Sequence, residues 1–453
     1  MGRQGKTNAR GALEQLRATL QSNRRGSGKG IYSICSANRF VLEAGMLQAK
    51  RDGTALLIEA TSNQVNQFGG YTGHTPEDFV QFVHAIANAM KMPWERIILG
   101  GDHLGPHVWR TTSSKSAIEK ACELVRGYVQ AGFVKIHLDA SMPCADDHVP
   151  PNTPLPDEIV SARAAELCEA AESAHSAMAQ STARPVYVIG TEVPIPGGEL
   201  CTSQPPAITT TRNLARTLRV AEDTFRSRGL REAWKRVIAV VVQSGVEFGD
   251  TSVFPYDSRK AKALSQFCIR GWSGVYEAHS TDFQTPQALR EMVGDHFAIL
   301  KVGPWLTFAL REAVFALEAI ERELKCVRSG MVASQVQEAM ESAMQENPAY
   351  WKGYYTGSES EGRFARRFSY SDRVRYYWPH ARVSTALKQL IGNLTVNPAP
   401  LSLVSQYLPV QAEEVRAGRL PNLPEELIRH KILEVIDRYA FACGMRRANE
   451  AAC

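Results

Sequence analysis

The 453-residue chain lacks several features that would mark other classes of protein. No apolar stretch approaches the ~20 residues that a membrane span requires. The nine cysteines include no CxxC pair, which indicates free thiols in a reducing cytoplasm. Neither a P-loop, a kinase glycine-rich loop nor a local HExxH metal motif occurs. No aromatic and basic surface pattern accompanies the net charge of +5. We therefore expect a cytoplasmic protein with no membrane or nucleic-acid partner.

Acidic residues are also scarce at the start of the chain, where Glu14 is the only one among the first 29 residues. The basic side chains there suggest either a targeting or nucleic-acid arm or a short docking helix. Residues 12–20 have helical spacing, no apolar signal core is present, and the glycine-rich stretch 25–30 indicates a turn. We favour the docking helix.

Eight apolar runs each end in polar or charged residues, which is how a (β/α)₈ barrel builds a site at one rim. The run that begins at Ile97 ends in Asp102 and His103, an acid beside an imidazole. The other seven runs are 30–37, 55–61, 134–141, 186–193, 237–245, 274–280 and 297–303. Because the carboxyl ends of parallel strands point the same way, the residues that follow the runs should meet on one face.

Helical spacing separates the runs, for example over Pro76 to Met90 and Ser114 to Ala131. This alternation predicts an α/β protein, a (β/α)₈ TIM barrel with a C-terminal helical extension. We place the N-terminal docking helix and turn at 1–29, the catalytic barrel at 30–325 and a mainly helical domain at 326–453. Long loops at 143–156 and 194–199 are either lids over the site or rigid proline-rich spacers.

Histidines and carboxylates at the ends of separate strands are suitable ligands for a divalent cation, and zinc is favoured when two of them are histidines. His103 and His279 are the predicted imidazole ligands. The alternative is that both histidines simply bind neighbouring carboxylates at the rim. No organic cofactor is expected.

Further carboxylates follow other runs, and crowded carboxylates are candidate acid/base groups. These are Glu59, Asp139 and Glu192, although Asp139 could instead cap the loop after its strand. Lys135 should lie deep in the barrel, where a lysine needs a charge partner, so we favour a structural ion pair over Schiff-base chemistry.

Two segments are candidate phosphate sites. Lys301 and Gly303 end the eighth run just before a helix, the usual place for phosphate in such barrels. Arg373 and Arg375, in the segment 369–378, could reach over the barrel mouth. The alternative for this second segment is aromatic packing with solvated arginines.

Six motifs, in order along the chain, resemble the GatZ/KbaZ family from about residue 12 to about residue 443. They occupy residues 31–38, 58–67, 100–106, 135–139, 370–378 and 405–409. The family is similar in turn to class II aldolase barrels. That resemblance implies that Asp102 carries a proton, that His103 is the first metal ligand and that His279 is the ligand from the seventh strand. The sixth-strand histidine of class II aldolases is absent, so Glu247 or Gln243 is expected to replace it, and Gln243 is otherwise a substrate contact. Mn or Co could then substitute for zinc.

The resemblance implies an isomerase, a D-tagatose 6-phosphate 4-epimerase that forms D-fructose 6-phosphate in galactitol and tagatose catabolism. A metal-stabilised enediolate would allow cleavage between C3 and C4 and re-addition to the other face of the aldehyde, with Asp102 and Glu192 assisting. The alternative is a non-catalytic accessory subunit of class II D-tagatose-1,6-bisphosphate aldolase. The expected partners are a phosphorylated ketohexose, an aldolase catalytic subunit and further copies of the chain in a homo-oligomer.

Overall fold

Eight parallel strands close into a barrel in a computed structural model that describes residues 9–150, 153–178, 182–190, 192–193, 206–327 and 330–445. Around the barrel the order is β1-β10-β9-β6-β5-β4-β3-β2, while β7 and β8 form a separate antiparallel hairpin. The strands are β1 (Ile31–Ile34), β2 (Leu56–Thr61), β3 (Ile97–Leu104), β4 (Lys135–Leu138), β5 (Val186–Gly190), β6 (Val237–Val241), β7 (Glu247–Phe248), β8 (Val253–Phe254), β9 (Val275–Ala278) and β10 (Phe297–Val302). Each predicted run contains one barrel strand, so the (β/α)₈ prediction is confirmed.

Helices alternate with the strands and then continue beyond the barrel. Within the described residues they are α1 (Ala9–Arg24), α2 (Arg39–Asp52), α3 (Pro76–Ala89), α4 (Ser114–Ala131), α5 (Asp157–Ser176), α6 (Thr211–Ser227), α7 (Arg231–Trp234), α8 (Ser258–Gly271), α9 (Pro286–Gly294), α10 (Pro304–Lys325), α11 (Val336–Glu346), α12 (Glu359–Phe368), α13 (Ala381–Val396), α14 (Leu401–Tyr407), α15 (Pro409–Arg416) and α16 (Pro424–Ala442). None of these helices is long and apolar enough to cross a membrane.

Local sequence signals explain where the barrel helices begin and end. At α3, Thr75 and Asp78 form a capping box and Pro76 occupies the first turn, where its missing N–H costs nothing. At α4, the Ser113 side chain accepts from the Ser116 N–H, and Gly132 ends the helix with φ 101°, a conformation that suits glycine.

Helix α1 covers the amino-terminal end of the barrel. Its buried side chains Ala12, Leu13, Leu16 and Leu20 belong to the same apolar cluster as the barrel residues near the starts of the strands. This end lies opposite the rim at which the strands finish. Helix α1 lies within the predicted docking segment 1–29, whose role stays a prediction, and residues 1–8 lie outside the described part.

The helices after α10 share one continuous apolar core with the barrel helices. Helix α16 packs against α10, α2 and α9. Arg429 on α16 bonds to the buried Glu43 on α2 at 2.6 Å. The division at 325/326 therefore stays a proposal about domains.

The loop that follows β4 is attached to the outer helices. Asp146 accepts hydrogen bonds from the Ser114 N–H and hydroxyl at 2.6 and 3.1 Å, and Asp147 accepts two from Arg163 at 2.7 and 2.8 Å. These contacts favour the spacer interpretation for the described part of 143–156. The second predicted loop, 194–199, lies outside the described residues. The seven cysteines of the described part are free thiols.

Candidate functional site

A bulge in β3 brings two adjacent side chains into the barrel. The register with β4 shifts between Gly101 and Leu104, and His103 has a φ of 48° in the left-handed region. Regular alternation would send Asp102 and His103 to opposite faces, yet they are only 3% and 4% exposed. A side chain at Gly100 would lie 2.5 Å from Glu59 Oε1, so glycine there leaves room for this carboxylate.

Asp102 and His103 meet His137 from β4 and His279 from just after β9. One potential ligand atom from each of these four buried residues lies within 4.8 Å of the other three. His103 Nε2 is 3.1 Å from His279 Nδ1, and His137 Nδ1 is 3.1 Å from Asp102 Oδ1. We call these four residues the metal cluster.

Each histidine of the metal cluster has one ring nitrogen beside a carboxylate. His103 Nδ1 lies 2.7 Å from Asp139 Oδ2, and His279 Nε2 lies 3.1 Å from Glu277 Oε1. If His103 Nδ1 and His279 Nε2 donate their protons to the adjacent carboxylates, His103 Nε2 and His279 Nδ1 present lone pairs to each other. His137 Nδ1 lies beside Asp102 and accepts from the His103 backbone N–H at 3.3 Å. Among the described residues, His137 Nε2 has no hydrogen-bond partner. Converging lone pairs in a buried site fit a divalent cation, and three imidazoles fit zinc.

The outer carboxylate Asp139 is held ionised by its surroundings. Burial alone would raise its pKa, but hydrogen bonds from His103 and Ser141 hold the pKa well below its usual range. Ser141 donates to it through its N–H at 3.0 Å and its hydroxyl at 2.6 Å. Asp139 therefore orients His103. Its two hydrogen bonds from Ser141 match the loop-capping role considered for it.

Asp102 is also ionised. Burial raises the pKa of Asp102, but the neighbouring imidazoles of His103, His137 and His279 together hold it below its usual range. An ionised carboxylate beside a cation site can accept a proton from a bound ligand.

A buried network of ion pairs lies against the metal cluster. Lys135 pairs with Glu59 and, at 2.6 Å, with Glu277. Lys301 pairs with Glu59 and, at 2.9 Å, with Asp102. Burial lowers the pKa of Lys301 to about 8. The ion pairing favoured for Lys135 is present, and Lys301 belongs to the same network.

A cavity opens above the metal cluster at the carboxyl rim. Its lining combines residues of the barrel and of the C-terminal segment, and includes Cys35, Gln64, Asp102, His103, His279, Asp282, Lys301, Gly303, Arg375 and Tyr376. A ligand bound here would touch the cluster and the segment 369–378 together.

The two arginines predicted to bind phosphate have different positions. Arg375 lines the cavity and donates to the Asp372 carbonyl at 3.0 Å and to the Tyr376 hydroxyl at 3.1 Å. Arg373 is buried, donates to the Tyr350 carbonyl at 2.7 Å and stacks on the Tyr354 ring. Only Arg375 of this pair therefore reaches the cavity.

The amides at the start of α10 are already occupied by a carboxylate. Asp282 Oδ1 accepts from the Gly303 N–H at 3.1 Å and the Trp305 N–H at 2.8 Å. Burial raises the pKa of Asp282 to about 6 despite these bonds. A phosphate at Gly303 would have to displace this side chain.

Three other predicted residues lie outside the metal cluster. Glu192 accepts hydrogen bonds from Thr209 and, at 3.1 Å, from Asn213. Gln243 exchanges two hydrogen bonds with Thr209 through its backbone. Glu247 accepts from the Phe248 N–H at 2.9 Å and the Ser280 hydroxyl at 3.1 Å.

Two residues of the site were not singled out from the sequence, namely His137 and Glu277. Both lie in barrel strands from which other site residues were predicted. His137 is two positions from both Lys135 and Asp139, so all three side chains should point to the same side of β4. This shared inward direction is the sequence signal that could have identified His137.

Known proteins resemble the chain along almost its whole length. The family model described as D-tagatose-1,6-bisphosphate aldolase subunit GatZ/KbaZ-like matches residues 16–444. A curated relative from Escherichia coli O1:K1 / APEC, named D-tagatose-1,6-bisphosphate aldolase subunit GatZ, is 49% identical over 95% of this chain and 100% of its own. One from E. coli strain SMS-3-5 has the same name, identity and coverage. A crystal structure described as a probable tagatose 6 phosphate kinase from Sinorhizobium meliloti 1021 has a TM-score of 0.82 and 44% identity, over 92% of this chain and 100% of that one.

These relatives correct one expectation from the sequence. Both curated relatives are named as an aldolase subunit, and neither is named as an isomerase or epimerase. The expected isomerase, a tagatose 6-phosphate 4-epimerase, is therefore wrong, and an aldolase assignment fits better. On the family model and on relatives that match at full length, the chain belongs to the GatZ/KbaZ-like family of D-tagatose-1,6-bisphosphate aldolase subunits.

Proposed function

We propose that the chain is a subunit of class II D-tagatose-1,6-bisphosphate aldolase and that its own barrel binds the phosphorylated ketose. The full-length likeness to proteins named as subunits of this enzyme supports the first part. The observation that carries the second part is the metal cluster at the carboxyl rim, beneath a cavity open to a ligand.

The donor set of the cluster fits a divalent metal. His103, His137 and His279 would hold it, with zinc as the best match and Mn or Co as substitutes. When bound, such an ion polarises the ketose carbonyl and stabilises the negative charge that forms when the neighbouring carbon–carbon bond breaks. Neither Glu247 nor Gln243 is needed to complete this set.

The chain's own carboxylates would handle the protons. Aldol cleavage between C3 and C4 requires the C4 hydroxyl to lose its proton, and C4 becomes the aldehyde of one product. C3 of the other product, which keeps the electron pair of the broken bond, then takes up a proton. Asp102 Oδ1 faces Lys301 and His137, while Oδ2 lies 3.9 Å from His103 Nε2. On these contacts we assign the transfer of the C4 hydroxyl proton to Asp102. Asp139 orients His103, and Glu59 holds the two buried lysines.

Arg375 would bind a phosphate of the ketose from above. It lines the cavity together with Tyr376, and the aromatic rings of Tyr71 and Tyr376 pack 4.7 Å apart beside it. A guanidinium at the cavity wall offers the charge-assisted hydrogen bonds that phosphate recognition uses.

Co-expression with a class II barrel aldolase chain tests the subunit assignment. The two chains should co-purify as a stable complex, and cleavage of D-tagatose 1,6-bisphosphate per aldolase chain should increase in it. The matched control is the complex with His137→Ala, which should still assemble but lose the contribution of this chain's site. No complex and no change in cleavage would contradict the proposal.

A further inference from the structure

Beneath the metal cluster lie two lysines and two glutamates, and Lys301 is the member of this group that also lines the described cavity. Lys135, Glu59 and Glu277 are fully buried, and Lys301 is nearly so. With Asp102 they form a network of two cations and three carboxylates. Buried charges are costly unless each has a partner, so the pairing within this network fixes the position of every member.

The two lysines have different partners within the network. Both pair with Glu59, one at each of its oxygens. Lys135 pairs at 2.6 Å with Glu277, whose other oxygen is 3.1 Å from His279 Nε2. Lys301 pairs at 2.9 Å with Asp102 and lies 3.6 Å from Glu277.

We infer that the two lysines are positioning residues with separable roles. Lys135 holds Glu277 so that His279 presents Nδ1 to the metal position. Lys301 holds Oδ1 of Asp102 and leaves Oδ2 to take the substrate proton. This division rests on the proposed function, in which His279 is a metal ligand and Asp102 carries the proton.

The chemistry of outer-shell partners explains why the roles separate. A carboxylate that accepts the N–H of a metal-ligating histidine sets which ring nitrogen faces the metal, and its loss weakens metal binding. A lysine that binds one oxygen of a carboxylate fixes the direction of the other oxygen. Removing Lys135 should therefore affect metal affinity, whereas removing Lys301 should affect proton transfer.

Two double variants with identical charge changes test this division. Lys135→Met/Glu59→Gln and Lys301→Met/Glu59→Gln each remove one lysine and the glutamate that it shares with the other. Metal affinity is measured on the chain alone, by titrating the metal-free protein with cobalt(II) and following its visible absorption. Thermal midpoints are measured on the same samples, and cleavage of D-tagatose 1,6-bisphosphate is measured at saturating metal.

The variant lacking Lys135 should bind cobalt about 10–100-fold more weakly than the wild type. The variant lacking Lys301 should stay within about threefold of the wild-type affinity for cobalt. The reason is that Lys301 pairs with Asp102, which is not one of the three proposed metal ligands. The kcat of this variant should fall about tenfold or more with KM unchanged. Equal losses of metal affinity in both variants, or no loss in either, would overturn the inference.

Single substitutions keep the inference testable if a double variant does not fold. Glu277→Gln should weaken cobalt binding, whereas the matched Glu59→Gln should not; equal affinities would overturn the role of Lys135. A wild-type chain that binds no divalent metal would overturn this inference together with the proposed metal site. Normal metal binding and the expected difference in cobalt affinity between the two double variants, without any aldolase activity, would overturn the proposed function together with the proton-transfer role of Lys301, and would leave the role of Lys135 standing.

Discussion

At the scale of single residues, His137 has a ring nitrogen, Nε2, that finds no hydrogen-bond partner within the described part of the chain. Its removal should delete a metal ligand without breaking a hydrogen bond at that atom. We predict that His137→Ala lowers zinc affinity by at least the roughly 10–100-fold that losing an outer-shell partner costs. Calorimetric titration of the isolated chain with zinc measures this.

His84→Ala is the matched control, because His84 lies on α3 and contacts Asn88 on the same helix. Its zinc affinity should equal that of the wild type. Equal affinities for both variants and the wild type would mean that His137 is a packing residue.

Asp282 makes the stability of the protein depend on pH. Burial raises its pKa to about 6, above the ~3.9 of an unfolded aspartate. The folded state therefore binds the proton more tightly, and this group costs stability as pH rises from about 4 to about 6. Asp282→Asn keeps the acceptor oxygen without the charge. It should be more stable than the wild type at pH 7, by up to about 3 kcal/mol, and equally stable below about pH 4.

Urea unfolding of both proteins at pH 4, 5, 6 and 7 checks this prediction. The difference between the two free energies of unfolding should grow across that window. A difference that does not change with pH would contradict the raised pKa of Asp282.

Residue spacing could identify strand ends but not which side chains meet there. Alternation along β3 predicts that Asp102 and His103 face opposite ways, and only the positive φ of His103 brings both inward. The hydrogen bond between Asp282 and the Gly303 N–H could not be predicted for a similar reason. Asp282 reaches the α10 amides because a loop brings it there, and no local pattern encodes that approach.

At the scale of elements, the segment 369–378 is fastened to α10 by buried polar contacts. Asp372 accepts from the Thr307 hydroxyl at 2.6 Å and pairs with Arg311 at 2.9 Å. Tyr370 packs against Phe283 and Phe308. The two meanings considered for this segment thus divide along it, since most of its side chains pack while Arg375 faces the cavity.

The two arginines of this segment form a natural test pair. Arg375→Met should raise KM for the phosphorylated ketose about 10–100-fold, the loss of one charge-assisted contact worth roughly 1.5–3 kcal/mol. Arg373→Met should leave KM unchanged and lower stability instead, because Arg373 stacks on Tyr354 and bonds the Tyr350 carbonyl. Steady-state kinetics and thermal melts of both variants measure this. A normal KM for Arg375→Met would return the whole segment to a packing role.

At the scale of the whole molecule, the barrel was predictable because its strands and helices carry short-range patterns. Apolar runs, helical spacing and capping residues each act within a few positions of the chain. The attachment of the C-terminal helices to the barrel was not predictable, because it depends on pairs such as Glu43 and Arg429, which are distant in sequence. The hairpin β7–β8 was also missed, since two-residue strands are too short to show alternation.

The two ends of the barrel have separate tasks, and α1 allows that separation to be measured. Leu16 is 1% exposed and packs in the cluster that closes the amino-terminal end, opposite the metal cluster. Leu16→Ala should lower the free energy of unfolding by about 2–5 kcal/mol, the usual cost of a cavity at a buried leucine. Zinc affinity and KM should stay at wild-type values when measured well below the melting temperature, because sites far apart without shared partners act independently.

Arg10→Ala on the exposed face of α1 is the control and should change neither stability nor zinc affinity, since an exposed pair such as that with Glu14 contributes little. If Leu16→Ala weakens zinc binding while the protein remains folded, the two ends are coupled through the barrel, and α1 contributes to the site as well as to stability.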